Sequence, residues 1–372
     1  MEVKAVREQP KNIMDFMQVA DFENVVLCQD QASGLRAVIA VHDTTLGPAA
    51  GGCRYWTYAS YEDATIDAMR LARGMTYKYA AAGVNLGGGK CVVMADPARP
   101  KSEAMLRALG RYIDRLGGAY MTGEDVGTTL EDMVNLRLET PYVITLPEDW
   151  GGAGAISEMT AIGVLEAMKS SVEHALGKRS LQGLTVNVQG VGAVGGPLCS
   201  LLLDEGARVR VADIRAESLA PWRDRPGVEV VPVEEIPYLE GDVFAPCALG
   251  GVVTSENVGR LRTKIICGSA NNQLWDASLE TNLQERGILY APDFIVNAGG
   301  AVFDADRLQP GGFRRARAEA KVREIGRTTR EVFALAEQEK VGTFRAAELF
   351  AERRIASVGA AKGIRSRFRG EI

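Results

Sequence analysis

The chain has 372 residues, 46% hydrophobic and 24% charged, with 43 Lys+Arg against 48 Asp+Glu for a formal net charge of -5. That length fits two domains with cores of their own, and the charge balance offers no basic footprint for nucleic acid or an anionic membrane, so a small-molecule partner is expected. The N-terminal stretch carries charges where a signal peptide needs an apolar core, and no apolar run reaches the length of a membrane span, so the expected location is cytoplasmic.

In chain order, "ENVVLCQD" and "LRAVIAVHDTT" read as strands joined by a turn at Gln31 to Gly34. "YEDATIDAMRLARGMTYKYAAAG" has helical apolar spacing at Ile66, Met69, Leu71 and Met75. Next, "NLGGGKCVV" runs three glycines into Lys90 and an apolar strand. It fails as a phosphate loop, because Val84 stands where the first glycine of G-x-x-x-x-G-K-[S/T] belongs and Cys91 where the magnesium-binding hydroxyl belongs. The residues alone leave two readings: a glycine-kinked strand end with an incidental surface lysine, or a lysine held by close backbone packing against a small ligand. "SEAMLRALGRYIDRLG" is an amphipathic helix capped by Ser102 and stopped at Gly117-Gly118, "AYMTGEDVGTT" begins as a strand and turns at Gly123, and "PEDWGGAGAISEMTA" reads as a hinge.

A long helix from about Ser157 to Leu176 opens the second portion. The strands "LTVNVQG", "VEVVPV", "GDVFAPCA", "KIICGSA" and "GILYAPDFIVNAGG" follow with helices between them, which predicts a parallel sheet, and the segment from about Phe313 to Arg369 is charged and helical. Six cysteines, Cys28, Cys53, Cys91, Cys199, Cys247 and Cys267, show no C-x-x-C spacing and read as buried free thiols. With only His42 and His174 in the chain, no metal site is expected, and lysines and carboxylates must carry any acid-base chemistry.

Gly190-Val191-Gly192-Ala193-Val194-Gly195 matches G-x-G-x-x-G between a strand, Leu184 to Val188, and a helix through Leu203. A second strand, Val209 to Ala212, ends on Asp213, about 20 residues on. In this β-α-β setting Gly190 makes the tight turn, Gly192 lets the backbone approach a pyrophosphate, and Gly195 lets helix and strand pack closely. Asp213 suits ribose hydroxyls and repels a 2′-phosphate, so NAD is the expected cofactor, with Arg215 as the residue that would accept the extra phosphate.

Two lysines, Lys78 in "MTYK" and Lys90, precede the acidic pair in "TGEDVGTT" that ends on Asp125. Here the sequence resembles the glutamate, leucine, phenylalanine and valine dehydrogenase superfamily, and most closely its leucine dehydrogenase branch. The matching segments are "AVIAVHDTTLGPAAGGCRYW", "LARGMTYKYAAAGVNLGGGK", "EDVGTT", "FAPCALGG", "GSANNQL" and "GILYAPDFIVNAGG", in family order over about residues 16 to 307. The resemblance implies an α/β protein of two domains facing a cleft. One is an N-terminal substrate and oligomerisation domain over 1–148, completed by C-terminal helices from about 336 to 372, and the other is a doubly wound Rossmann-type NAD domain over 149–335. It implies reversible oxidative deamination of a nonpolar L-amino acid to the 2-oxo acid and ammonia, in a homo-oligomer built from dimers.

By the same resemblance, Lys78 takes the α-carboxylate with help from the Gly51-Gly52 backbone, and Lys90 is a lysine of depressed pKa that polarises the carbonyl and activates water. Asp125 shuttles protons, and crowding of substrate and nicotinamide against the triple glycine excludes side chains there. Asn271 or Asn272, and Asn297, correspond to contacts with nicotinamide and substrate; the residues alone also fit turn asparagines with local hydrogen bonds. Ala248 lies on the adenosine side.

The sequence departs from the branch in its pocket. Ala50, Gly123 and Ala301 are smaller than the branch's usual residues, which enlarges the pocket in the direction of phenylalanine or tryptophan; by the resemblance leucine and its branched-chain relatives are the favoured substrates, and an aromatic amino acid is the alternative. No cation stands near Ala50 to hold a glutamate side chain. Asp304 replaces a pocket valine, so it either turns to solvent or meets a substrate donor, unless Phe303 takes the position instead. A rival of another class is a catalytically silent regulator that binds NAD and an amino acid; the joint presence of Lys78, Lys90 and Asp125 argues against it.

Overall fold

The computed structural model describes residues 12–360, which fall into two compact units. Among the described residues no helix is long and apolar enough to cross a membrane. All six cysteines are free, and only Cys247 is not fully buried.

Among the described residues, the first unit takes in 12–154, the short passage Arg307–Phe313 and 354–360. Its elements to Gly154 are α1 (Ile13–Ala20), β1 (Asn24–Asp30), β2 (Leu35–Asp43), β3 (Ala49–Trp56), α2 (Tyr61–Ala81), β4 (Gly87–Met94), α3 (Glu103–Arg115), β5 (Tyr120–Glu124) and α4 (Leu130–Arg137). The strands form one sheet in the order β1-β2-β4-β3-β5, antiparallel on the β1 side and parallel among β4, β3 and β5. Side-chain alternation along the strands splits the apolar residues between two faces. Val38, Ala40 and Val92 pack under Ala64, Ala68, Met69 and Ala72 of α2. Ile39, Val41, Cys53, Cys91 and Val93 pack on the other side against Leu109 and Ile113 of α3 and Leu136 of α4.

Packing inside the first unit leaves no room for side chains at the triple glycine. A Cβ on Gly88 would lie 2.2 Å from the Thr76 backbone nitrogen, one on Gly89 would lie 2.6 Å from the Tyr120 ring, and one on Gly87 would lie 1.9 Å from the Asp43 carbonyl. Helix α2 on one face and an aromatic ring on the other occupy the space, so internal packing of the first unit is enough to exclude side chains. Strand β3, absent from the sequence reading, runs between β4 and β5 and contains Gly51 and Gly52.

The second unit covers Ala155–Asp306 and Arg314–Arg353. It opens with α5 (Ser157–Leu176), β6 (Thr185–Gln189), α6 (Gly195–Asp204), β7 (Arg208–Ala212), α7 (Ala216–Leu219), β8 (Val228–Val230), β9 (Gly241–Pro246) and β10 (Thr263–Ile266). It continues with α8 (Leu279–Glu285), β11 (Leu289–Tyr290), α9 (Asp293–Val296), α10 (Gly299–Ala305), α11 (Arg315–Arg323), α12 (Ile325–Glu339) and α13 (Thr343–Gly359). The six strands are all parallel in the order β11-β10-β9-β6-β7-β8, the doubly wound arrangement, with its switch point between β6 and β9. "GILYAPDFIVNAGG" is a strand only at Leu289–Tyr290; Pro292 then starts helix α9. Gly299 lies so close to α5 that a Cβ would meet the Met159 carbonyl at 2.2 Å. Helix α13 begins in the second unit and ends in the first, where Arg354 donates to the Val84 carbonyl at 2.9 Å and Asn85 Oδ1 at 2.6 Å, just past the C-terminus of α2. After Gly154 the chain returns to the first unit at Arg307–Phe313 and again from Arg354.

His42 is a structural group in the first unit. It is 8% exposed, its Nε2–H donates to the Ala20 carbonyl at 3.0 Å, and its Nδ1 accepts from the Thr76 hydroxyl at 2.8 Å. Burial, then the Arg73 charge, pushes its pKa down to about 4. The unfolded chain therefore takes up this proton first, and the stability contributed above pH 6.5 is lost as the pH falls toward 4. Going from pH 7 to pH 5 should cost about 2 kcal/mol, read as a lower urea midpoint that His42→Gln makes less pH-dependent. Equal pH dependence in both proteins would contradict this.

Candidate active site

Lys90 occupies the middle of β4, paired with Ala40 of β2 and following the glycines, so alternation points it to the α2 face. It is 5% exposed. Its Nζ lies 2.7 Å from Oδ2 of Asp125, which follows the end of β5. The Asp125 loop is fixed locally: the Asp125 N–H donates to the Thr128 hydroxyl at 3.0 Å, and that hydroxyl lies 2.9 Å from the Cys53 carbonyl. Lys101 donates to the Gly127 carbonyl at 2.8 Å and pairs with Asp132. Burial would raise the Asp125 carboxyl, but the Lys90 and Arg54 charges outweigh it and hold the group below the usual carboxylate range. Glu124 beside it is pushed up by burial and by Asp132 and Asp125. The resting site therefore holds Asp125 as an anion against a lysine.

Lys78 lies half-buried in the last turn of α2. Ala50, Gly51 and Gly52 line up on β3 opposite Met121, Thr122 and Gly123 of β5, and Ala50 is fully buried. A Cβ on Gly52 would lie 2.6 Å from Asp125 Cβ, so glycine there lets the Asp125 loop close over β3. A Cβ on Gly123 would lie 2.5 Å from Thr145 Oγ1, so the Thr145 hydroxyl takes up room that the missing methyl leaves.

The sequence reading missed Arg54. Its Nε lies 3.2 Å from Asp125 Oδ2 and its Nη1 3.0 Å from Asp67 Oδ2, and the Tyr58 hydroxyl donates to the same Asp67 oxygen. A usable signal was in the sequence: Gly52 and Arg54 are two apart on one strand, hence on one face.

In the second unit the glycine turn has the geometry a dinucleotide needs. Gly190 follows β6 with φ +96°, and a Cβ there would meet Ala248 Cβ at 2.8 Å across the switch point. A Cβ on Gly195 would lie 1.9 Å from the Gly190 carbonyl, whereas one on Gly192 would meet only Arg215 Nη2, at 3.6 Å. Gly190 and Gly195 serve the turn itself, and the space at Gly192 is open. Ala193 is exposed and Val194 precedes α6, so the helix N-terminus is presented at the turn. Asp213 accepts from the Val191 N–H and the Arg215 N–H, both at 2.9 Å, and lies 3.8 Å from Arg215 Nε.

Asn297 donates through Nδ2 to the Ser269 carbonyl at 3.1 Å and to Asn271 Oδ1 at 2.7 Å. Its buried Oδ1 has no hydrogen-bond partner among the described residues. Asn271 is therefore tied to Asn297, while Asn272 has the left-handed backbone, φ 51°, of a turn asparagine. The orphaned acceptor, the open Gly192 and the presented helix terminus fit a nicotinamide dinucleotide. Ala301 and Asp304 lie on α10. Asp304 is 5% exposed, so it does not turn to solvent, and Phe303 is fully buried with the Arg315 guanidinium 5.4 Å from its ring centre.

Comparison with known proteins gives matches over the same regions. Residues 18–142 match the family model described as Glu/Leu/Phe/Val dehydrogenase, dimerisation domain, and residues 210–363 match Glutamate/Leucine/Phenylalanine/Valine dehydrogenase. A leucine dehydrogenase of Thermoactinomyces intermedius is 49% identical over 92% of this chain and 93% of its own length. A phenylalanine dehydrogenase of Caldalkalibacillus thermarum is 43% identical over 91% and 93%. Among solved structures, L-tryptophan dehydrogenase from Nostoc punctiforme superimposes with a TM-score of 0.81 at 36% identity, covering 94% of this chain and all of that one.

The two kinds of glycine in the turn should separate by experiment. Gly192→Ala should leave the melting temperature within about 1 °C while weakening dinucleotide binding, because its Cβ meets only the open side. Gly195→Ala should lower the melting temperature markedly, by its collision with the Gly190 carbonyl. Equal effects of the two on stability, by thermal unfolding, would contradict the assignment.

Proposed function

The chain belongs to the Glu/Leu/Phe/Val dehydrogenase family and is an amino-acid dehydrogenase with a nicotinamide cofactor, and from that premise we propose that it deaminates a nonpolar L-amino acid reversibly with NAD, leucine and its branched-chain relatives foremost. The observation that carries the proposal is the Lys90–Asp125 contact at 2.7 Å, since binding alone needs no buried lysine against a carboxylate. When bound at the Gly190–Gly195 turn, the nicotinamide dinucleotide would supply the acceptor for the hydride of the substrate α-carbon. Lys78 and the Gly51-Gly52 backbone hold the α-carboxylate. Lys90 polarises the 2-oxo group and activates water, and Asp125 takes and returns the protons of the amino group and the carbinolamine. The spare Oδ1 of Asn297 accepts an N–H from the carboxamide or the substrate amine.

Asp213 keeps lone pairs for ribose hydroxyls beyond the two backbone N–H groups it serves. Its charge disfavours a 2′-phosphate, which supports NAD over NADP. Ile214 and Leu249 are 84% and 78% exposed after β7 and β9, beside Asp213 and Ala248, and offer apolar faces to the adenine. The family model's dimerisation description over residues 18–142 supports a homo-oligomer built from dimers, which light scattering tests.

Leucine stands first because the leucine enzyme shares 49% identity and Thr145 occupies room beside Gly123. The aromatic reading is favoured by the small Ala50 and Ala301 and by the similarity to a tryptophan dehydrogenase. Buried Asp304 adds a substrate with a side-chain donor to the panel. The experiment is kcat/KM for leucine, valine, phenylalanine, tryptophan and lysine with NAD and NADP at alkaline pH. Leucine with NAD should lead. Phenylalanine or tryptophan ahead would replace the substrate, NADP ahead would overturn the role of Asp213, and NAD binding without turnover of any amino acid would overturn the proposal. Lys90→Ala and Asp125→Asn should each lower kcat about 10²–10⁴-fold with NAD binding retained, and Lys78→Ala should chiefly raise KM for the amino acid. Near-normal turnover by the Lys90 variant would reject its role.

A further inference from the structure

We propose that Arg54 is a positioning residue for the reaction: held by Asp67 and Tyr58, it orients the Asp125 carboxylate toward Lys90 and sets the charge under which the Lys90–Asp125 pair exchanges protons. The inference rests on the reading of Lys90 and Asp125 given above and adds to it a second layer.

Asp125 Oδ2 lies 2.7 Å from Lys90 Nζ on β4 and 3.2 Å from Arg54 Nε on β3. Two cations on one oxygen, from two strands, fix how the carboxylate is rotated. Arg54 is itself fixed at its other end, where Nη1 lies 3.0 Å from Asp67 Oδ2 on α2. The Tyr58 hydroxyl donates to that same oxygen, and burial, then Asp67, pushes its pKa up, so it remains a donor. A guanidinium is rigid and planar and spans two carboxylates at once, which a lysine ammonium does not reproduce. The side chains of Arg54 and Asp125 are each only 20% exposed, so solvent screens the contact incompletely.

The charges around Asp125 are then Lys90 on β4, Arg54 on β3, Asp67 on α2 acting through Arg54, and Glu124 on its own strand, with Asp132 of α4 farther out and paired to Lys101. The sign of any change follows from charge alone. Removing the Arg54 cation makes the Asp125 carboxyl hold its proton to higher pH, and removing the Asp67 anion, which leaves the Arg54 charge less compensated, makes it release that proton at lower pH. A role confined to stability gives no reason for opposite signs.

The test uses the full chain with leucine and NAD. Arg54→Gln should move the acid limb of the deamination kcat/KM profile up by about one pH unit and lower kcat by roughly tenfold to a hundredfold, with KM for the amino acid little changed. Asp67→Asn should move the limb the opposite way by a smaller amount. Arg54→Lys, which keeps the charge and loses the bridge, should leave the limb near its wild-type position while kcat still falls. An unmoved limb in Arg54→Gln, or an upward shift in Asp67→Asn, overturns the proposal; if Arg54→Gln does not fold, the direction in Asp67→Asn decides.

A second readout does not depend on turnover. The Asp125 carboxyl band, isolated as the infrared difference between ¹³C-aspartate-labelled wild type and Asp125→Asn, should protonate at higher pH in Arg54→Gln than in the wild-type background. If wild type turns over no amino acid, the functional reading fails, and this band alone decides the role of Arg54.

Discussion

A lysine with only 6% of its side chain exposed needs a counter-charge, and the first unit is built to supply one 2.7 Å away. Three strands have to approach closely for this. Lys90 sits on β4, Asp125 follows β5, and β3 lies between them, so β3 must have no side chain where the Asp125 loop closes. Gly52 meets that need, since its Cβ would collide with Asp125 Cβ at 2.6 Å. Gly88 meets the matching need on β4, where the backbone of α2 lies against the strand at Thr76. The glycines bring backbones together, and their close approach places the charged groups.

The second unit uses the same device at its glycine turn. Gly190 and Gly195 tighten the turn after β6 until the start of α6 faces outward at the switch point, while Gly192 is left open on that side. Asp213 ties the turn to the end of β7, because it accepts from the Val191 and Arg215 N–H groups. Asn297 completes the unit's polar equipment, its amide oriented by the Ser269 carbonyl and Asn271 so that its oxygen is the atom left over.

Where the deciding contacts are local, the sequence was legible. The glycine turn, the long helix Ser157–Leu176, the Ser102 cap and the hairpin of β1 and β2 all depend on residues a few positions apart. The parallel sheet followed from the alternation of strands and helices, except that "DFIVNAGG" looks extended by composition and is helical because Pro292 and the close approach of Gly299 to α5 impose it. What was not legible depends on distant partners. Arg54 meets Asp125 across 71 positions, the triple glycine packs against Thr76 and Tyr120, and Thr145 occupies the space beside Gly123. Alternation along β3 sets Gly52 and Arg54 on one face, but the pattern does not name the distant residues met there.

If Lys90 and Asp125 act as one chemical unit, their contributions to turnover cannot be independent. The most direct measurement is a double-mutant cycle on kcat with Lys90→Ala, Asp125→Asn and the two combined, each checked for NAD binding and for an unchanged fold. The expected result is a double variant no slower than the slower of the two single variants. Losses that multiply would mean that the two residues act separately, and the contact between them would then be a matter of stability rather than of catalysis.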